Sequence, residues 1–216
     1  MKTEETVLMK HLKVFCLLLV LSFAITALGQ GTAPTAKPAT PASPAPAAPA
    51  AAAPSLAALV DRQISAYEKN VVGAAEAMPE DKYNFSPASL NIQGAAYSDV
   101  RTFAQLVKHT ATANYRFWTV LTGEKMPENI KGTNGPDELK TKAEIIQFLK
   151  DSFAVGHRAA SSLTDKNALE QVPFFNNQVP RLYVATACVV HAADEYGQMV
   201  EYLRMNGIVP PASRRN

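Results

Sequence analysis

Apolar residues recur at every third or fourth position in four segments of the chain, and this spacing predicts four amphipathic helices. We expect these helices over residues 55–78, 100–122, 141–163 and 180–207. The connections show no convincing strand alternation and are interpreted as loops, including VPFFNNQVP (residues 172–180) and the most flexible one, KGTNGPDE (residues 131–138). Four helices with one apolar face each predict an all-α fold, a four-helix bundle. The predicted loops are long, so the helices need not follow a simple up-down-up-down order.

Residues suited to helix ends lie at the borders of these segments. Ser55 can cap the first helix, and Pro79 ends it because the residue before a proline is pushed out of the helical region. Thr141 and Glu144 have the spacing of a capping box at the start of the third helix. Gly207 is typical of a left-handed stop after the fourth.

The chain begins with the layout of a secretory signal. Two lysines precede an apolar run over residues 14–28, and small residues follow that allow cleavage before Gln30. The run is shorter than the roughly 20 residues of a membrane-spanning helix, which favours a removed signal peptide, residues 1–29, over an uncleaved anchor. Acidic residues near the N-terminus are unusual in a signal, so translation from Met9 instead of Met1 is a second hypothesis.

Residues 30–54 are almost wholly alanine, proline, threonine and serine. This composition cannot bury a core, and its prolines favour an extended chain, so we predict a disordered linker. The linker would tether a single domain, residues 55–216. With the signal peptide, this organisation predicts an exported protein, periplasmic or extracellular, that is not stably inserted in the membrane.

Charge and cysteine content narrow the function classes. Removal of the signal takes away three lysines and two glutamates, so the formal net charge falls by one from +2. A near-neutral domain has no electrostatic footprint for nucleic acid. Cys188 is then the one cysteine left, so an internal disulfide is excluded, and its place in an apolar helical pattern predicts a buried thiol.

His191 and Glu195 lie four residues apart on the fourth helix, where their Cβ atoms are about 5–6 Å apart and the side chains can converge on one ion. Metals in bundles are held by side chains from facing helices, so a further ligand is needed. His109, at the edge of the apolar stripe of the second helix, is the candidate. Alternatively, the pair is a surface ion pair and His109 a half-exposed structural histidine. His157 is interpreted as solvated.

Several motifs, in order along residues 59–213, resemble the DinB-like family: AAEAMPEDKYNF, VRTFAQLVKH, LTGEK and EYGQMVEYLRMNGIVPPAS. The resemblance implies a DinB-type four-helix bundle with a crossover connection and a divalent metal, often held by three histidines. One histidine comes from the second helix and two lie four residues apart on the fourth. His109 and His191 match the first two positions, whereas Glu195 stands where the family normally has histidine.

This difference leaves two outcomes open. Two histidines and one carboxylate are a known set of zinc ligands, which leaves a fourth coordination position for water. The same set also suits nickel, iron(II) or other first-row ions. Glu195 would then preserve the site with a changed metal preference, and Asp194 is a candidate partner for a ligand histidine. Alternatively, the site has decayed and Glu195 points to solvent or pairs with a cation.

Three hypotheses of function follow. The resemblance implies relatives that are metal hydrolases or thiol S-transferases and isomerases, which favours a metal-dependent enzyme acting on a small molecule. The sequence offers no convincing general base, and export removes the protein from the cytosolic thiol pool. The absent base and the altered third ligand favour the second hypothesis, a non-catalytic module that binds a metal or small ligand. The third is a structural protein with a decayed site. The resemblance allows a homodimer, but no interface is specified.

Overall fold

The computed structural model describes residues 53–215, which form four long helices, as the periodicity predicts. They are α1 Leu56–Ala77, α2 Phe103–Thr122, α3 Lys142–Ser161 and α4 Arg181–Met205. Single 3-10 turns lie at Glu80–Lys82, Pro87–Leu90 and Pro211–Ser213. The all-α four-helix bundle is confirmed. The predicted signal peptide and all but the last two residues of the predicted linker lie outside the described residues. Within residues 53–215, no helix combines the length and apolarity needed to cross a bilayer.

The helix ends follow local side-chain chemistry. The Ser55 hydroxyl accepts a hydrogen bond from the backbone of Ala58, and Thr141 forms the predicted capping box with Glu144. The second helix begins three residues later than predicted, because Thr102 caps it and exchanges hydrogen bonds with Gln105. These caps satisfy backbone N–H groups that the first turn of a helix leaves unpaired.

The four helices do not follow their order along the chain around the bundle. Helix α1 packs against α3 and α4, and α2 packs against the same two helices. Helices α1 and α2 therefore lie at opposite corners, and residues 78–102 cross between them. This arrangement brings α2 and α4, which carry the candidate ligands, side by side.

A close contact between α2 and α3 fixes part of the core. The indole of Trp118 is 1% exposed and lies against Gly156. A Cβ atom at residue 156 would lie 2.8 Å from the Trp118 Nε1 atom, so glycine is needed for this approach.

The segment interpreted as a loop before α4 is a β-hairpin, which corrects the sequence prediction. Strand β1, Gln171–Phe174, pairs antiparallel with β2, Asn177–Pro180. Each strand has four residues and contains a proline, so an alternating pattern was too short to identify. Phe175 occupies the turn with a φ of 51°.

The interpretation of His157 as solvated is also wrong. Its Nδ1 lies 2.6 Å from Asp61 Oδ1 and its Nε2 lies 2.9 Å from Glu68 Oε2. The ring therefore joins α3 to α1 and is only 33% exposed. Helical periodicity places a residue on a face of its own helix, but it does not identify the neighbouring helix or its charges.

Candidate metal centre

Three side chains from two helices meet at one point between α2 and α4. His109 Nε2 lies 3.4 Å from Glu195 Oε1, and His191 Nε2 lies 3.6 Å from the same oxygen. One ligand atom from each residue lies within 4.8 Å of the other two. Within residues 53–215, this is the one group of three or more such side chains with this spacing. The structure thus brings together all three predicted ligands.

The direction of Glu195 bears on the two outcomes left open by the sequence. Its side chain points into the bundle and the residue is 3% exposed. A glutamate in a decayed site that simply faces solvent would not be buried in this way. The surface ion pair proposed as the alternative for His191 and Glu195 is excluded for the same reason.

The separations between these atoms fit a shared cation better than direct hydrogen bonds. Strong N–H···O hydrogen bonds span about 2.7–3.2 Å, so 3.4 and 3.6 Å are long. Ligand atoms about 2.0–2.2 Å from a tetrahedral zinc ion are about 3.3–3.6 Å apart. The distances from Glu195 Oε1 to His109 Nε2 and to His191 Nε2 therefore match the spacing between two ligand atoms of one zinc ion.

The other nitrogen of His109 is held by the backbone. Its Nδ1 lies 2.6 Å from the carbonyl oxygen of Thr133. A carbonyl only accepts, so Nδ1 carries the proton and Nε2 presents its lone pair to Glu195. Metal-binding histidines are commonly oriented by such a contact. Asp194, the sequence-based candidate for this role, instead accepts a hydrogen bond from Gln198.

Residues 132–136, which we call the α2 strap, lie on α2 and supply this carbonyl. Four side chains fasten the strap: Arg101 to Asn134, Lys108 to Pro136, His109 to Thr133 and Arg116 to Gly132, at 2.6–2.9 Å. Gly135 has a φ of 71°, and a Cβ atom there would lie 2.9 Å from the Cβ of Lys108. The segment predicted to be most flexible is therefore an anchored part of the site.

The electrostatics of the three candidate ligands suit a cation. Burial raises the pKa of Glu195 to about 7, although the positive charge of Arg101 opposes this. Its Oε2 atom is buried and has no hydrogen-bond partner. Burial also lowers the pKa values of His109 and His191, which favours the neutral imidazoles that bind metals. An unpaired buried carboxylate is costly, and a bound cation would offset that cost.

A cavity of about 260 Å³ opens beside the two histidines. Its wall includes Thr112 and Arg116, and the rings of Phe117 and Phe175. The hydroxyl of Thr112 is buried without a hydrogen-bond partner. Sequence reasoning assigned none of these residues to the site. The one available signal was the position of Thr112 and Arg116 three and seven residues after His109, on neighbouring turns of one helix.

Cys188 is not available as an exposed nucleophile. It is 1% exposed, and its Sγ lies 3.4 Å from Asn114 Oδ1. Burial raises the pKa of the thiol well above its ordinary value. The predicted buried thiol is confirmed, and the chemistry of the site depends on other groups.

Comparison with known proteins agrees with this architecture. A family model described as the DinB superfamily matches residues 63–199. A DinB-like protein from Bacillus cereus ATCC 10987 has a TM-score of 0.55 at 18% identity, covering 70% of this chain and 93% of that one. A DinB-like protein from Bacillus subtilis has a TM-score of 0.50 at 15% identity, covering 73% and 99%. At these identities the two structures support the fold alone. Curated protein sequences give no match.

Proposed function

Because this chain belongs to the DinB superfamily, we propose that it is a divalent-metal-dependent enzyme of hydrolase or thiol-transferase type. His109, His191 and Glu195 hold the ion. The observation that carries the proposal is the convergence of three ligand atoms within 4.8 Å at a buried carboxylate whose Oε2 atom has no hydrogen-bond partner.

The donor set defines which ions fit. His109 and His191 contribute Nε2 atoms and Glu195 contributes Oε1, a set that suits zinc, nickel or iron(II) and leaves a position for another ligand. A divalent ion in such a site supplies Lewis-acid activation of a bound water or thiol near neutral pH. Compared with a third histidine, the carboxylate of Glu195 adds one negative charge to the ligand set. This charge favours a cation of higher positive charge.

The surrounding residues orient the two histidine rings. Thr133 fixes the ring of His109, while Phe117 stacks parallel to His191 with ring centroids 5.9 Å apart. These contacts hold the two imidazoles in place before an ion binds, which reduces the ordering required on binding.

A second candidate function is supported by the cavity wall. Besides the two histidines, its lining contains no group that titrates near neutral pH. The lining of this cavity therefore offers no separate general base, which favours a non-catalytic module that binds a metal or a small ligand. The third hypothesis, a structural protein with a decayed site, is opposed by the inward direction of Glu195.

Metal analysis of the purified protein separates these hypotheses. We expect about one equivalent of zinc, nickel or iron, lost in His109→Ala and His191→Ala and retained in His157→Ala, whose imidazole lies between α1 and α3. If wild type and His109→Ala contain the same trace amount of metal, the third hypothesis, a structural protein with a decayed site, is supported. Turnover of hydrolytic or thiol-transfer substrates that disappears with chelator supports the enzyme. Metal binding without any such turnover supports the binding module.

The proposal includes export, which is supported by the apolar run at residues 14–28 and the alanine- and proline-rich residues that follow. The small net charge supports a small-molecule partner and not a nucleic acid. N-terminal sequencing of the protein from its native host tests export. A mature chain that begins at Gln30 supports it, and an intact N-terminus in the cytosol contradicts it.

A further inference from the structure

We infer that the cavity beside His109 and His191 selects a small anion that carries one aromatic ring. The ring would lie between Phe117 and Phe175, and the anionic group would face Arg116. This inference rests on the proposed function, because it names the ligand class of the same site, but it is tested separately below.

Phe175 is the first observation. It is 71% exposed and has a φ of 51° at the first position of the two-residue hairpin turn. A non-glycine residue in this region costs about 1–2 kcal/mol, and glycine is the usual residue at such a position. An exposed phenyl ring regains little of that cost through burial. Burial from water therefore does not account for phenylalanine here, and the exposed face of the ring is available to a ligand.

The hairpin directs this ring to the site. The ring of Phe175 lies 4.6 Å from that of Phe174, and Phe174 packs on Phe117 with centroids 4.9 Å apart. Phe117 and Phe175 are nearly perpendicular, with centroids 6.3 Å apart, and both line the cavity. Two aromatic walls at this angle offer one face and one edge to a planar ring, the geometries that aromatic pairs prefer.

The polar part of the wall has the charge for an anion. Arg116 lines the cavity, and its guanidinium is held by the carbonyl of Gly132 at 2.8 Å. A guanidinium has five N–H donors, so others remain for a ligand. No carboxylate belongs to the cavity lining. The charge of Arg116 is therefore not opposed by an acidic side chain in the lining.

The size of the cavity limits the ligand. At about 260 Å³ it is smaller than the roughly 300–1,000 Å³ of pockets that hold drug-sized molecules. A single ring with a short substituent therefore fits better than a fused or extended molecule. Benzoate is the simplest probe of this class.

The test compares three probes on the full chain: benzoate, cyclohexanecarboxylate and benzyl alcohol. Calorimetry or ligand-observed NMR is performed with metal and after chelation, since a carboxylate also binds metal directly. In both forms we expect benzoate to bind about three- to tenfold more tightly than either other probe. Arg116→Gln should remove the preference for benzoate over benzyl alcohol.

Phe175→Gly is the decisive variant, because glycine adopts the positive φ of this turn without strain and the paired residues of both strands are unchanged. It should remove the preference for benzoate over cyclohexanecarboxylate. Leu169→Ala, which removes another exposed apolar side chain outside the cavity, is the control and should change nothing.

The outcomes distinguish the two proposals. If the protein binds no metal but still prefers benzoate over both other probes, the proposed metal-dependent function is wrong and the inferred class of ligand is supported. If metal binds normally but the three probes bind equally, or not at all, the ligand class is wrong. An unchanged preference in Phe175→Gly also overturns it.

Discussion

His109 donates a hydrogen bond from Nδ1 to the carbonyl oxygen of Thr133, at 2.6 Å, and so turns its Nε2 towards Glu195. A candidate ligand on α2 is thus oriented by the backbone of the α2 strap, 24 residues further along the chain. The position of this loop therefore controls the direction of a ligand lone pair, although no loop side chain enters the group of three.

Gly135→Ala tests this control. A Cβ atom at residue 135 would lie 2.9 Å from Lys108 Cβ and 3.3 Å from Thr112 Oγ1, at a φ that disfavours alanine. The strap must move off α2, and Thr133 then releases His109. Because disruption of such outer contacts typically weakens metal binding by about 10- to 100-fold, we expect a loss of that size in competition with a chelating dye.

Gly132→Ala is the matched control for the strap. It lies in the same loop, its φ is not positive, and a Cβ atom there meets nothing within 4 Å. We expect metal affinity near that of wild type and unchanged helical circular dichroism in both variants. Equal affinities for Gly132→Ala and Gly135→Ala would show that the strap does not position His109.

Glu195→Gln should separate stability from metal binding. The folded pKa of Glu195, about 7, lies above its ordinary value of 4.5 because the group is buried. The folded protein therefore binds more protons than the unfolded chain between these values, and the free energy of unfolding of the metal-free wild type falls as pH rises through this range. The neutral glutamine avoids this loss, so metal-free Glu195→Gln should be more stable than wild type at pH 8, by on the order of 1–3 kcal/mol.

Urea denaturation in the presence of chelator, at pH 5 and pH 8, measures this difference. The advantage of Glu195→Gln should shrink at pH 5, where the wild-type carboxyl is protonated. With metal added, the order should reverse, because a bound ligand stabilises by RT ln(1 + [L]/Kd) and glutamine binds the ion more weakly. A variant less stable than wild type at pH 8 without metal would contradict the proposed cost of the buried carboxylate.

The sequence was sufficient for the features that depend on local spacing. The four helices, the caps at Ser55 and Thr141, and the pairing of His191 with Glu195 all depend on residues within one or two turns of each other. His109 was named as the third candidate from its place at the edge of the apolar stripe of the second helix, and the family resemblance then matched it to the same position.

The features that were missed depend on contacts between distant segments. The contact of Thr133 with His109, and that of His157 with Asp61 and Glu68, follow from which helices are neighbours, and periodicity contains no such information. The hairpin that carries Phe175 has strands too short for an alternating pattern to emerge. The three candidate ligands were therefore predictable from the sequence, but the residues that orient and enclose them were not.

Two glycines in helices should respond in opposite ways to replacement by alanine. Gly156→Ala places a methyl group 2.8–3.2 Å from three atoms of the buried Trp118 indole, so we expect a loss of about 1–3 kcal/mol from overpacking. Gly197 lies in α4, where a Cβ atom meets nothing within 4 Å, so Gly197→Ala should gain up to about 1 kcal/mol from helix propensity. Thermal and urea unfolding measure both. A Gly156→Ala protein as stable as Gly197→Ala would mean that the indole moves freely.

The contact of His157 with two carboxylates predicts a pH-dependent link between α3 and α1. Burial alone would lower the pKa of His157, but hydrogen bonds with Asp61 and Glu68 outweigh it and the net pKa is raised. A raised histidine pKa contributes stability that is fully present below the ordinary value of about 6.5 and is lost as pH rises through the folded value. The difference in free energy of unfolding between wild type and His157→Gln should therefore be largest near pH 6 and smaller near pH 9. Since the ring is 33% exposed, the difference should stay below about 1 kcal/mol.

Lys150→Gln is the control for this link. Lys150 pairs with Glu76 at 2.8 Å, also between α3 and α1. Ammonium groups in general stay charged well above the pH range in which imidazoles titrate. The effect of Lys150→Gln on unfolding should be nearly constant with pH, whereas that of His157→Gln should decline. Other titrating groups are common to all three proteins, so their contributions cancel in the differences. A His157→Gln effect that is flat, or that grows with pH, would mean that the imidazole joins the helices in its neutral form.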